Sequence, residues 1–186
     1  MLNNIAAIMG GGAAAVGDYE SIQTVNGNGS ASVLSFTSIP STYSHLQIRG
    51  IARDGRAVTV DTGYITLNST TTATYASHYV GGNGASATAS ATSATAPSGA
   101  VAFLIPGSSA GASMFSATII DFLDYANTNK TKVLRALTGT DQNGSGNMWL
   151  TSYLWTGTSA ITQIDLTTGT GSAWATYSSF ALYGIK

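Results

Sequence analysis

The sequence predicts an all-β protein, an antiparallel β-sandwich of jelly-roll-like type with roughly eight to ten strands and a short amino-terminal arm. Three observations carry this. Apolar and polar residues alternate with period two over many short stretches. Turn residues separate those stretches at close spacing. No segment sustains a helical period beyond a single turn around Asn3 to Met9.

The strands follow in order. From Tyr19 onward the chain reads as strand. Between Tyr43 and Arg53, Leu46, Ile48, Gly50 and Ala52 fall on one face and His45, Gln47, Arg49 and Arg53 on the other, as in a half-buried strand. Val58 to Leu67 and Thr74 to Val80 are rich in β-branched and aromatic residues. Val101 to Ile105 is a short apolar run stopped by Pro106-Gly107. Ser113 to Tyr125 is the most apolar stretch and is placed at the centre of a sheet. Lys132 to Thr140, Asn147 to Trp155, Ala160 to Thr167 and Thr176 to Lys186 complete the set. Turns are read at Asn26 to Gly29, Asp54-Gly55, Gly81 to Gly84, Asn127 to Asn129, Asn143 to Gly146 and Gly169 to Gly171. Gly84 to Gly99, built of Ala, Ser and Thr, has no large side chain to bury and reads as a long exposed loop or extended arm.

Length and composition set the domain count. The 186 residues suffice for one sandwich with a real core. The division expected is an arm over residues 1–17 and one domain over 18–186. Leu2, Ile5, Ile8 and Met9 make the arm apolar, and Gly10 to Gly12 give it a hinge. Two readings stand for it: a segment that docks on a neighbouring subunit, or a frayed terminus. Its apolar run is too short to span a bilayer and lacks the positive flank of a secretory signal, so cytoplasmic synthesis and no membrane partner are expected.

Charged residues are only 8% of the chain, against roughly 25% in ordinary soluble domains. So uncharged a surface suits a protein held in an assembly. The net charge is −1 and the cations are scattered, which gives no footprint for nucleic acid. The chain has no cysteine, which removes disulfides, thiolate nucleophiles and cysteine-rich zinc sites.

Little in the sequence points to catalytic chemistry. Gly107-Ser108-Ser109-Ala110-Gly111 matches the nucleophile-elbow pattern, but both histidines, His45 and His78, precede it. Gly10 to Ala15 fits a loose dinucleotide fingerprint without its strand, helix or acid. Asp121 and Asp124 lie an odd number of residues apart, so the pleat sends them to opposite faces; Asp121 is read as a half-buried partner of an Arg or Lys. Asp141 to Gly146 has oxygen ligands but no downstream glutamate, and Asn143-Gly144 is better read as a type I′ hairpin turn. No enzyme activity, metal or cofactor is expected. The aromatics Tyr153, Trp155 and Trp174 alternate with small polar residues. They are read either as core or interface residues or as a platform on which host glycan stacks.

Four stretches bear a resemblance: Gly17 to Ile22; Ser35 to Tyr43 leading into His45 to Arg53; Ile119 to Lys130; and Tyr177 to Lys186. They resemble a domain recurrent in virion proteins of tailed phages, especially phages of aquatic bacteria. The resemblance spans most of residues 18–186, with the Ser35 to Arg53 and Tyr177 to Lys186 motifs the most specific. It implies a non-enzymatic particle component located in the virion, a homotrimeric sandwich in contact with other virion proteins. Head and tail both stay open: a capsid decoration or cement protein fixed by its arm, or a tail-fibre or tail-tip domain that binds host surface glycan. No catalytic residue is carried over.

Overall fold

The computed structural model describes residues 17–70, 75–96 and 101–186. Among the described residues, twelve strands form two antiparallel sheets. In chain order they are β1 (Tyr19–Asn26), β2 (Val33–Phe36), β3 (His45–Ala52), β4 (Val60–Leu67), β5 (Tyr75–Gly82), β6 (Ala87–Ala96), β7 (Val101–Pro106), β8 (Ser116–Leu123), β9 (Lys132–Asp141), β10 (Gly146–Trp155), β11 (Ile164–Thr168) and β12 (Ser179–Ile185). The larger sheet runs β1-β12-β3-β8-β9-β10-β5-β6, and the smaller runs β2-β11-β4-β7. The antiparallel sandwich is therefore present, with more strands than the eight to ten expected. One of the added strands is β6, which falls in the Ala/Ser/Thr segment read as a loop or arm. Its Ala87 to Thr92 pairs with Gly82 to Ser77 of β5.

Period-two alternation builds the core. In β3, Leu46, Ile48, Gly50 and Ala52 are buried as the pattern required, and β9 and β12 alternate in the same way. Strand β8 lies fourth of eight, in the interior of its sheet. The smaller sheet covers part of the larger one: β2 lies on β1, and β7 lies on β8, β9 and β10. Core aromatics interlock between the sheets. Trp174 meets Phe180 edge-on at 5.2 Å, and Phe103 meets Phe180 at 5.9 Å. Gly50 faces Phe180 across the β3–β12 pair, and any Cβ there would overlap the ring. The glycine is a packing requirement.

The two ends of the sandwich differ. The upper end gathers the loops 27–32, 53–59, 107–115 and 169–178 and the hairpin turns after β5 and β9. Asn143 and Gly144 have φ of +53° and +105°, and Gln142 N–H donates to Ser145 O at 2.8 Å, as a type I′ turn requires. The lower end holds the loops 37–44, 124–131 and 156–163. Lys132, only 2% exposed, ties two of these together there: its ammonium donates to the carbonyls of Asn127, Lys130 and Thr158. Burial pulls its pKa below the usual lysine value. Residues 17 and 18 enter at the same end, where Lys186 N–H donates to Asp18 O at 3.1 Å.

Candidate assembly surface

Strand register lines up the outward side chains of the larger sheet into rows. One row reads Arg49, Ile119, Leu137, Leu150, Val80 and Ala89 across six adjacent strands. The row above it reads Ile51, Ala117, Gly139, Met148, Gly82 and Ala87. Ile51, Val80, Ile119, Leu137, Met148 and Leu150 are 41–63% exposed. Leu123 and Val133 continue the apolar surface toward the lower end. Half-exposed aliphatics in this number leave on the order of 600 Å² of apolar surface on one face, at the top of the range for a lone soluble domain.

The face has a depression. Gly139 has no neighbour within 4 Å of where a Cβ would stand. Around it Ile51, Ile119, Leu137, Met148 and Tyr177 border a trough of ≈ 630 Å³. Tyr177 is 83% exposed and holds φ at +74°, a backbone conformation unusual for tyrosine.

A polar row lies below the apolar ones. Arg135 Nη2 pairs with Asp121 Oδ2 at 2.9 Å, and Gln47 Nε2 donates to Asp121 Oδ1 at 2.7 Å. Arg49 lies over the rings of Tyr19 and Tyr183, at 5.2 and 5.7 Å. His78 sits exposed in this row opposite Ser152. His45 has a structural role, since its Nδ1 accepts the Asp124 N–H at 3.0 Å. Asp124 itself pairs with Lys130, whose ammonium holds the carboxyl below the usual aspartate pKa.

Strand β6 ends the larger sheet with an open edge. Its pairing sends Ala87, Ala89 and Ala91 to the outer face, beside Val80, and Thr88, Ser90 and Thr92 to the inner one. No charge, proline or bulge interrupts the strand between Ala87 and Thr92, and among the described residues no strand pairs with its outer edge.

The sequence-derived candidates divide. Leu2, Ile5, Ile8 and Met9 lie outside the described residues. Tyr153, Trp155 and Trp174 correct the glycan reading: they are 1%, 2% and 0% exposed, inside the core, where no sugar can stack on them. Tyr153 Oη donates to Ile65 O, and Trp174 Nε1 donates to Leu166 O at 3.3 Å. The half-buried aromatics of β5 and β10 are instead Tyr79 and Trp149, stacked at 4.0 Å. Ser109 of the elbow-like motif lies in a turn with no helix after it. The Arg53 guanidinium fixes that turn by donating to the carbonyls of Ser108, Ala110, Gly111 and Met114. Sequence reading missed the outer face because its apolar residues belong to five separate strands, β3, β8, β9, β10 and β5, and only the register shows them adjacent.

No family model matches the chain, and neither a curated protein nor a solved structure matches it.

Proposed function

We propose that this chain is a non-enzymatic structural subunit of a tailed-phage virion, and that copies of it associate through the outer face of the eight-stranded sheet. The observation that carries the reading is the exposed row Ile119, Leu137, Leu150 and Val80, with Ile51 and Met148 above it. Water contact with such a surface is unfavourable by about 25 cal/mol per Å². A second copy of the chain is the occupant. Charges on the face are few: Arg49 lies over Tyr19 and Tyr183 at one end of the row, and the Asp121–Arg135 pair offers both signs at its border, so a rotated copy can set opposite charges together. The alanine row and open edge of β6 extend the surface toward the ~800 Å² per partner of a standard interface.

The particle type and the three-fold copy number come from the resemblance of residues 18–186 to phage virion domains. The arm over residues 1–17 is the anchor in this reading. The chain enters the sandwich at the lower end, where Lys186 N–H donates to Asp18 O. Capsid decoration is preferred over a tail adhesin because the aromatics that would have bound glycan belong to the core.

The test uses the full chain and a chain lacking residues 1–17, each added to tailed-phage particles stripped of the protein. The full chain is expected as a trimer by light scattering and should sediment with the particles. The truncated chain should stay folded and remain in the supernatant. A truncated chain that still joins the particles refutes the anchoring role, and a full chain that never associates refutes the assembly reading.

A further inference from the structure

The upper end of the sandwich closes around two buried acids. Asp54 follows β3 and is 0% exposed; Asp61 is the second residue of β4 and is 6% exposed. Both bind Arg56, Asp54 through the backbone N–H and Asp61 through the guanidinium, and Asp61 is close enough to raise the Asp54 pKa. One oxygen of each is well served. Asp54 Oδ1 accepts the Arg56 backbone N–H. Asp61 Oδ1 accepts Thr62 N–H at 2.8 Å and Arg56 Nη1 at 3.1 Å. The other oxygen of each, Oδ2, is buried with no donor. The Ser172 hydroxyl has one proton within reach of both Thr168 Oγ1, at 3.1 Å, and Asp54, whose pKa it lowers less than burial and Asp61 raise it.

Two ionised carboxylates do not face one another in a dry site without a cation between them. The surroundings supply one positive charge, Arg56. Loops 107–115 and 169–178, which close over the pair, carry no charged residue. Arg53 is committed to the carbonyls of the 108–114 turn, and Tyr64 lies against Gly169. Two carboxylates and one guanidinium leave a single negative charge, which one proton neutralises.

We infer that Asp54 and Asp61 share one proton, with Asp54 as the acid that donates to Asp61, and that this bond is a pH-sensitive latch on the loops of the upper end. Residues 53–56 are where those loops are tied. Asp54 N–H donates to Pro106 O at 3.0 Å, Gly55 N–H to Ala173 O at 2.9 Å, and Ser108 N–H to Arg56 O at 2.7 Å. Asp54 also bridges Trp174 in the core. Burial, and then the neighbouring Asp61, push the Asp54 pKa from 3.8 up to about 6. A raised folded-state pKa gives stability that is complete below pH 3.8 and lost as pH rises through 6. The inference stands apart from the assembly reading, because none of these residues lies on the outer face.

The test is thermal unfolding of the full chain from pH 4 to 8, with EDTA and with calcium, for the wild type and Asp54→Asn. The amide keeps an N–H donor toward Asp61 at every pH. The wild type should lose about 6–12 °C in Tm as pH passes through 6, a step that Asp54→Asn lacks. Identical pH profiles for the two proteins overturn the inference. Calcium that raises the wild-type Tm at pH 7 and removes the step, reversed by EDTA, also overturns it, since a metal ion then occupies the place given to the proton. Carbon-13 NMR of the wild-type aspartate carboxyls decides the matter should the variant not fold: an Asp54 resonance titrating near 6 supports the shared proton, and one titrating below 4.5 refutes it.

Discussion

Replacing Gly50 with alanine tests how the core is assembled. Gly50 lies inside the sheet opposite Phe180, whose ring fills the space a Cβ would need. Phe180 in turn holds edge contacts with Trp174 at 5.2 Å and Phe103 at 5.9 Å. One inserted methyl must therefore displace a ring that locks two others. Overpacking of a tight core costs about 1–3 kcal/mol, and each aromatic contact is worth about 0.5–1.5 kcal/mol beyond its area. Gly50→Ala should lose about 3 kcal/mol, or about 6–12 °C in Tm. Phe180→Leu alone should lose about 2 kcal/mol. In the double variant the smaller side chain makes room for the methyl, so the total should fall short of the sum by at least ~1 kcal/mol. Gly139→Ala is the control: it lies in the same sheet on the opposite face with nothing within 4 Å, and its effect should stay within about 0.5 kcal/mol. Urea unfolding followed by tryptophan fluorescence measures all four. Equal losses at Gly50 and Gly139, or strict additivity with Phe180→Leu, would refute the packing argument.

Leu137→Glu with Leu150→Lys should leave the Tm within a few degrees, since both residues are about half exposed, yet weaken self-association at least tenfold in sedimentation velocity. Lys132→Met should cost about 2–4 kcal/mol in urea unfolding, because three carbonyls lose a buried charged donor. Across the Asp54 titration the raised pKa corresponds to about 3 kcal/mol, favouring the folded chain on the acid side and fading as pH climbs through 6. Proton uptake on folding, measured calorimetrically at pH 5, should be lower in Asp54→Asn than in the wild type.

Much of the fold was legible because alternation and turn chemistry agree in this chain. Leu46, Ile48 and Ala52 announce the inner face of β3, and Asn143-Gly144 announces its hairpin through the φ > 0 that only a few residues accept. Strand β6 was missed for want of bulk: its alternation is of Ala with Ser or Thr, a period-two signal that carries almost no contrast in hydrophobicity. The aromatic residues of β10 were ambiguous for a related reason. Trp149, Tyr153 and Trp155 share one face, while Met148 and Leu150 make the other face equally apolar, so the pattern shows which residues go together without showing which side is core. Asp54 and Asp61 are seven residues apart, too far for a local pattern, and only the turn between β3 and β4 brings their carboxyls together. The outer face is a property of register across β3, β8, β9, β10 and β5, and register is set by tertiary pairing.

The most direct test of the assembly account is cryo-electron microscopy of the intact phage particle at a resolution that traces strands. The account predicts this twelve-stranded sandwich in symmetric copies, with Ile119, Leu137 and Leu150 covered by a neighbouring copy and residues 1–17 running onto the particle. Isolated copies whose larger sheet faces solvent, or particles in which the chain has no place, would contradict it.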